Sequence, residues 1–261
     1  MTILLHELRR NRISLCIWSC VIAFMLCISI MIYPEMGSQM DDMGDMFSQM
    51  GDFTAAFGMD KVNFGEFSGY FAIECGNVLG LGGAIFAAIL GISALSKEEK
   101  EHTAEFLLTH PVSRKRIVGE KLASVFVQII ILNVFVFLFA FLSMLIIGEK
   151  IKFATFVLLF VGYLAMQIEI CAITFGISAF SLPGGFGIGL GVSMVFYFMN
   201  ILSNLSEDIV FLKYITPFAY ADGAYIVSKE AITLKYLLVG VLFTVIGICA
   251  AFAKYTKKDI S

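Results

Sequence analysis

Six long apolar segments dominate the sequence and limit what the chain can fold into. They occupy residues 13–33, 69–95, 122–147, 153–180, 186–205 and 236–253. A helix of about 20 apolar residues crosses the hydrocarbon part of a bilayer. The chain is 59% hydrophobic and 15% charged, whereas a soluble domain is about half apolar and about a quarter charged. The segments therefore predict an all-α membrane protein with six transmembrane helices, forming a single domain over residues 1–261.

Basic residues are distributed unevenly between these segments, and this asymmetry predicts the orientation of the chain. Most of the 18 Lys and Arg residues lie before the first segment, between the second and third segments, and after the sixth. Cytoplasmic loops carry an excess of Lys and Arg in multi-pass proteins. We therefore expect a multi-pass protein of a bacterial plasma membrane with both termini in the cytoplasm.

Three regions outside the spans also have a recognisable pattern. Residues 1–12 alternate apolar and basic side chains, which favours a short N-terminal interfacial helix or an ordinary basic flank. The loop at 34–68 is acidic, with Met and Phe at helical spacing, and favours an amphipathic helix on the outer surface. Residues 211–225 are too apolar for a solvated loop and too short to span. We therefore predict a re-entrant outer hairpin before the last span.

The loop between the second and third segments combines an apolar cluster with many charges. Residues 96–121 read SKEEKEHTAEFLLTHPVSRKRIVGEK. Residues 103–108 predict a helical turn that exposes apolar side chains, Pro111 ends it, and Ser113 can cap the basic helix that follows. An exposed apolar surface ringed by charges favours the docking of a soluble partner, and the alternative is a solvated connector.

This loop resembles the loop between the second and third helices of ABC-2 type transporter permeases. The shared features are an acidic run, the pattern Thr103-x-Glu105-x-Leu107-Leu108, the run Pro111-Val112-Ser113-Arg114, and Ile117 and Lys121. The family usually has Gly before the Thr, where this chain has His102. The motif is confined to this loop, whereas the six-helix plan extends over the whole chain.

The resemblance implies that this loop is a cytoplasmic coupling helix, which sits in a groove of a nucleotide-binding subunit. The contacts implied are Glu98, Glu99, Glu101, Thr103, Glu105, Phe106, Leu107, Leu108 and Arg114. The resemblance further implies two soluble ABC ATPase subunits, a second permease copy or a paralogue, and surrounding membrane lipid. It implies export of hydrophobic or amphipathic cargo, such as toxin- or bacteriocin-like peptides or drugs, and no nucleic acid.

The chain itself lacks the usual sequence signatures of catalysis. It contains no G-x-x-x-x-G-K-[ST] motif, so ATP and Mg²⁺ would be bound by the partner subunit. We expect no cofactor, no catalytic residue and no metal site in this chain. Cys16 and Cys20 share a helix face but have no His or carboxylate beside them.

Polar side chains inside the apolar segments are the candidates for a substrate cavity. Glu169 lies near the middle of the fourth segment, and Glu74 lies three residues before Asn77 in the second. An ionised side chain at the centre of a span costs at least about 2.5 kcal/mol on insertion scales. Each carboxylate is therefore either a cavity group or a hydrogen-bonded link between helices. Gln167 belongs to a polar stripe on a different face from Glu169.

Two other classes of function remain as alternatives to an ATP-driven exporter. In an ion- or proton-coupled secondary transporter, Glu169 and Glu74 would titrate, and the chain would carry internal repeats, which the sequence does not show. An intramembrane enzyme would need a nucleophile and a base at membrane depth. No H-E-x-x-H motif occurs, and the three histidines lie outside the apolar segments.

Overall fold

The computed structural model describes residues 2–36, 51–63, 65–100, 113–180 and 185–257, with only the backbone for residues 2 and 97–100. Its helices are α1 (Thr2–Met36), α2 (Asp52–Ala56), α3 (Phe67–Cys75), α4 (Gly82–Lys100), α5 (Arg114–Ile147), α6 (Phe153–Ser178), α7 (Phe186–Leu205), α8 (Gly223–Lys229) and α9 (Leu234–Lys257). A π-helical segment, Gly76–Leu81, joins α3 to α4 without a break. No strand occurs in these ranges.

Six helices in the described ranges are long and apolar enough to cross a membrane. They are Ile3–Met36, Phe67–Ser96, Arg114–Ile147, Phe153–Ser178, Phe186–Leu205 and Leu234–Lys257. The second of them comprises α3, the π segment and most of α4. The predicted all-α membrane fold with six spans is therefore confirmed.

The N-terminal residues are part of the first span. Residues 2–12 form the first turns of α1, which runs unbroken to Met36, and not a separate interfacial helix. The sequence contains no Gly or Pro before Pro34 in this helix, so no residue that disfavours a helix separates the basic flank from the apolar segment. The basic residues therefore lengthen, at its N-terminal end, the helix that forms the first span.

The loops at the end of the molecule that holds α2 and α8 contain short helical pieces. Residues 37–50, where the amphipathic helix was expected, lie outside the described residues, and the remainder of that loop forms α2 and a 3₁₀ turn at Met59–Lys61. Two 3₁₀ segments, Glu207–Tyr214 and Pro217–Ala219, precede α8. They pack against α6, α7 and α9. The re-entrant hairpin stays a prediction.

Helix α6 lies at the centre of the bundle, with α4 on one side and α9 on the other. A Cβ atom added to Gly91 of α4 would lie 2.2 Å from the Thr174 Oγ1 atom of α6. A Cβ atom added to Gly247 of α9 would lie 2.5 Å from the Ala172 carbonyl oxygen of α6. Small residues let helix backbones approach this closely in membranes. The three helices therefore form a tightly packed core.

The remaining long helices lie at the periphery of this core. α1 packs along α5, while α7 packs mainly on α4 and on the segment Glu207–Tyr214. Large apolar side chains on the outer faces of α7 and α9 are exposed, among them Val195, Phe198, Leu238 and Leu242. Contiguous exposed apolar surface of this kind is covered by lipid or by another protein chain.

Candidate functional site

The predicted ATPase-contact loop connects the C-terminal end of α4 to the N-terminal end of α5. Most of its predicted contacts lie outside the described residues: Glu101, Thr103, Glu105, Phe106, Leu107 and Leu108, together with the side chains of Glu98 and Glu99. Arg114, the first residue of α5, donates from Nη1 to the Thr256 carbonyl oxygen of α9 at 3.4 Å. Ser113 caps α5 as predicted, since its hydroxyl oxygen accepts from the Arg116 N–H.

An apolar cluster, which we call the coupling base, holds the two ends of this loop together. Its buried members come from α4, α5, α6, α9 and the residue that follows α6: Leu95, Ile117, Val118, Phe175, Ala179, Ala251 and Tyr255. Ile3 of α1 packs against them. Because interiors are close-packed, a displacement of one member displaces its neighbours. The coupling base therefore links both ends of the predicted contact loop to α1, α6 and α9.

A buried lysine adds a polar connection beside the coupling base. Lys121 of α5 is only 2% exposed, and its Nζ atom donates to the Ala94 carbonyl oxygen of α4 at 2.6 Å. The same Nζ atom lies 3.6 Å from the Glu7 Oε1 atom of α1. A buried ammonium group needs nearby oxygen atoms to replace its water. Lys121 thus joins α1, α4 and α5 at one point.

Glu120, the neighbour of Lys121, holds the start of α1. Its Oε2 atom accepts from the backbone N–H groups of Ile3 and Leu4 at 3.1 and 3.3 Å. Its Oε1 atom accepts from the Arg116 Nε atom at 2.8 Å. The first N–H groups of a helix have no partner within that helix, so a carboxylate placed there stabilises it. The bonds from Glu120 to α1 were not predicted, because residues more than 100 positions apart form them.

A cavity of about 490 Å³ opens next to Lys121. It lies between α1, α4, α5 and the start of α7, and its lining includes Glu7, Ser93, Val125 and Phe186. Apolar and polar side chains both face it. This cavity lies at the same end of the molecule as the coupling base.

Glu169 forms a hydrogen bond within the chain. It is 2% exposed, and its Oε2 atom accepts from the Tyr220 hydroxyl at 2.7 Å. A Cβ atom added to Gly240 of α9 would lie 2.2 Å from the same oxygen. Burial and the neighbouring carboxylate raise the pKa of Tyr220, which keeps this hydroxyl a proton donor. Glu169 therefore links α6 to α9 and to the segment before α8.

Gln167 is buried on another face of α6, as the spacing predicts. Its Oε1 atom accepts from Asn133 Nδ2 of α5 at 2.6 Å. Its Nε2 atom donates to the Leu79 carbonyl oxygen at 3.3 Å. Leu79 belongs to the π segment, where the backbone departs from the regular α-helical bonding pattern. Gln167 thus connects α5 and the second span through α6.

Glu74 and Asn77 face different neighbours, although they lie only three residues apart. The Glu74 Oε2 atom accepts from the Ser29 hydroxyl of α1 at 3.1 Å. Asn77 lines a cavity of about 60 Å³ beside α6, α7 and α8. The π segment begins at Gly76, so the three-residue spacing no longer keeps both side chains on one face. Of the four predicted cavity residues, Asn77 lines this cavity, whereas Glu169, Glu74 and Gln167 form hydrogen bonds between helices or with the segment before α8.

The comparison with protein families covers nearly the whole chain. Residues 1–260 match the family described as ABC-2 family transporter protein. The comparison with curated proteins found no match. Permeases of this family are membrane subunits, generally non-catalytic, that act with an ATPase subunit. With six apolar helices and a match of this extent, the chain belongs to the ABC-2 family and is the membrane subunit of an ABC transporter.

Proposed function

We propose that this chain is the permease of an ATP-driven exporter in a bacterial plasma membrane, moving hydrophobic or amphipathic cargo such as peptides or drugs. Two copies of a separate ATPase subunit supply the energy. The observation that carries the proposal is the coupling base, because it joins both ends of the predicted ATPase-contact loop to the helices of the bundle.

The coupling base supports a mechanical route from ATP binding to the membrane. The partner ATPase moves the loop between α4 and α5, and the packed cluster passes that displacement to α6 and α9. The displacement also reaches α1 by two contacts. Lys121 pairs with Glu7, and Glu120 accepts from the first N–H groups of that helix. A rigid packed region transmits strain that a loosely packed one would absorb.

The cargo pathway in this proposal runs between two permease copies, or between this chain and a paralogue. Within one protomer, α4, α6 and α9 approach too closely at Gly91 and Gly247 for cargo to pass between them. The outer faces of α7 and α9 carry large exposed apolar side chains, such as Phe198 and Leu238. A pathway bounded by such faces suits cargo with apolar surface better than a small hydrated ion.

An ion-coupled mechanism has less support. Glu169 and Glu74 each accept a hydrogen bond from within the protomer, from Tyr220 and Ser29 respectively. These bonds account for both carboxylates as links between helices. Family membership favours the ATP-driven mechanism.

The test is to identify the proteins that co-purify with the chain. A tagged chain is purified from its native cells in a gentle detergent, and its partners are identified by mass spectrometry. We expect a soluble P-loop ATPase in stoichiometric amount. Leu107→Asp should lower its recovery about tenfold, since a charge replaces an apolar contact. Leu107→Met, which keeps the apolar volume, serves as the control.

Two outcomes would count against the proposal. One is a wild-type chain that is purified alone and conducts ions or protons in vesicles without an ATPase. The other is equal ATPase recovery from the two Leu107 variants. Direction is tested separately, by the ATP-dependent accumulation of an amphipathic fluorescent peptide in inside-out vesicles, and a lack of accumulation there would contradict export.

A further inference from the structure

A cationic chamber lies at the end of the molecule opposite the coupling base. Its volume is about 230 Å³, and three lysines line it: Lys61 after α2, Lys213 after α7 and Lys235 at the start of α9. The only acidic residue in its lining is Asp222. Three ammonium groups and one carboxylate therefore line the chamber, and the Asp60 carboxylate acts on Lys213 from outside the lining.

Only one of these three ammonium groups is paired with a carboxylate of the chamber, and Lys235 is exposed to solvent. Lys61 Nζ lies 2.7 Å from the Asp222 Oδ2 atom, which occupies the one carboxylate. Lys213 forms no hydrogen bond or ion pair with a described residue, and burial together with the nearby charge of Lys61 lowers its pKa. Lys235 Nζ lies over the Tyr236 ring, 4.6 Å from its centre. An anion would relieve the repulsion between these ammonium groups.

A smaller inner chamber adjoins the cationic one, and Asp222 and Asn200 line both. Its volume is about 60 Å³, and neutral hydrogen-bonding groups, Asn77 and Tyr163 among them, face it. Tyr163 is 1% exposed, and its hydroxyl has no hydrogen-bond partner among the described residues. A buried polar group without a partner costs about 1–3 kcal/mol. The inner chamber therefore contains a hydrogen-bonding group suited to a ligand.

A glycine packs closely against this hydroxyl. A Cβ atom added to Gly223 would lie 2.6 Å from the Tyr163 Oη atom, closer than a carbon can approach an oxygen without displacement. Gly223 begins α8, and Asp222 caps that helix by accepting from the Tyr225 N–H at 3.2 Å. The same turn thus supplies a carboxylate that lines both chambers and the glycine that packs against the Tyr163 hydroxyl.

We propose that the two chambers together bind a phosphate ester, with its phosphate against Lys61, Lys213 and Lys235 and a hydroxyl-bearing substituent towards Tyr163. A phosphate monoester offers more acceptor oxygens and more negative charge than a carboxylate, and a phosphodiester, as in most phospholipid headgroups, still supplies one negative charge to the ammonium groups. A phospholipid headgroup and a soluble phosphate ester share this chemistry. This inference does not depend on the cargo or on the direction of transport.

The test compares two probes on the full-length chain. Glycerol 3-phosphate is titrated calorimetrically into lipid-depleted protein, and phosphatidylglycerol retained from mixed nanodiscs is counted by native mass spectrometry. The variant Lys213→Gln/Lys235→Gln removes two chamber charges. The control Lys150→Gln/Lys229→Gln removes two exposed lysines outside the chamber lining. We expect binding to weaken about tenfold in the chamber variant and less than about twofold in the control.

The outcomes separate the two sources. Loss of glycerol 3-phosphate binding in the chamber variant identifies a soluble ester, and loss of phosphatidylglycerol retention alone identifies a lipid headgroup. The proposal is overturned if the wild-type chain binds neither probe, or if the chamber variant and its control behave alike.

A second variant tests the inner chamber. Tyr163→Phe keeps the ring and removes only the hydroxyl. We expect it to weaken about fivefold the binding of whichever phosphate ester the wild-type chain binds, which is the effect of one hydrogen bond. Binding of inorganic phosphate should stay unchanged. Equal effects on the ester and on inorganic phosphate, or no effect on either, would overturn the assignment of Tyr163.

Discussion

Lys121 and Glu7 form an ion pair between α5 and α1, with 3.6 Å between Nζ and Oε1, and both side chains are buried. The pair lies near the ends of α4 and α5 that lead to the predicted ATPase-contact loop. A charge removed from such a pair leaves its partner buried and uncompensated. The pair is therefore a sensitive point in the connection between the loop and the first span.

Replacing Lys121 alone should destabilise the chain. Lys121→Met should lower the free energy of unfolding by about 3 kcal/mol, because it leaves the Glu7 carboxylate and the Ala94 carbonyl without this donor. The measurement is unfolding in mixed micelles of mild detergent and dodecyl sulfate.

The matching control removes both charges. The double variant Lys121→Met/Glu7→Gln should be more stable than Lys121→Met alone, because no carboxylate is left unpaired. The single variant Glu7→Gln completes the comparison. If the losses in the free energy of unfolding of the two single variants add up to the loss of the double variant, the ion pair contributes nothing.

Gly247 should not tolerate a methyl group. Its added Cβ atom would lie 2.5 Å from the Ala172 carbonyl oxygen, so Gly247→Ala must push α9 away from α6. We expect a loss of about 1–3 kcal/mol in the free energy of unfolding. Gly191→Ala on α7 is the control, since its added Cβ atom has no neighbour within 4 Å and a helical Gly→Ala change gains up to about 1 kcal/mol. Equal stability of the two variants would contradict the tight contact.

Glu169 should act on stability more than on transport. Glu169→Gln keeps an oxygen acceptor for the Tyr220 hydroxyl, so transport per folded molecule should stay within about twofold of wild type. Glu169→Leu leaves that hydroxyl unpaired and should cost about 2 kcal/mol of stability. The measurement is ATP-dependent transport normalised to the folded amount. If Glu169→Gln abolishes transport at an unchanged folded amount, Glu169 is a cargo-cavity group.

Lys213 should react with acylating reagents at lower pH than an ordinary lysine. Burial and the charge of Lys61 lower its pKa, so a larger fraction of its amine is neutral at any pH below the ordinary value of about 10.4. The pH midpoint of labelling by a succinimidyl ester, followed by peptide mass spectrometry, should lie below that of a reference lysine peptide. A midpoint at or above the reference would contradict the shift.

Hydropathy alone predicts the six spans, because each is a run of about 20 apolar residues, long enough to cross a bilayer. The cap at Ser113 was also predictable, since a cap depends on residues within one turn. The N-terminal limit of α1 was not predictable from the sequence. Hydropathy marks the residues of a span that can lie in lipid, but it does not mark where the helix begins. Residues 2–12 are polar enough to lie outside the apolar segment, yet they continue its helix.

The sequence could not predict which charged residues lie together in the fold, and the reason is different. Lys61, Lys213 and Lys235 lie in three separate loops or loop edges, and only the folded chain brings them to one chamber. The same applies to Glu7 and Lys121. No periodic pattern in the sequence records a contact between such distant positions. The family resemblance, by contrast, was visible in one loop, where residue types and spacing are local.

The π segment at Gly76–Leu81 has a consequence for the length of the second span. A π turn holds one residue more than the α-helical turn it replaces. Deleting one residue there would let the turn close as a regular α-helix and leave α4 in its present rotation about its axis. A deletion within α4 itself would rotate all later residues by about 100°. The second span can therefore be shortened at the π segment without changing which side chains α4 presents to α6.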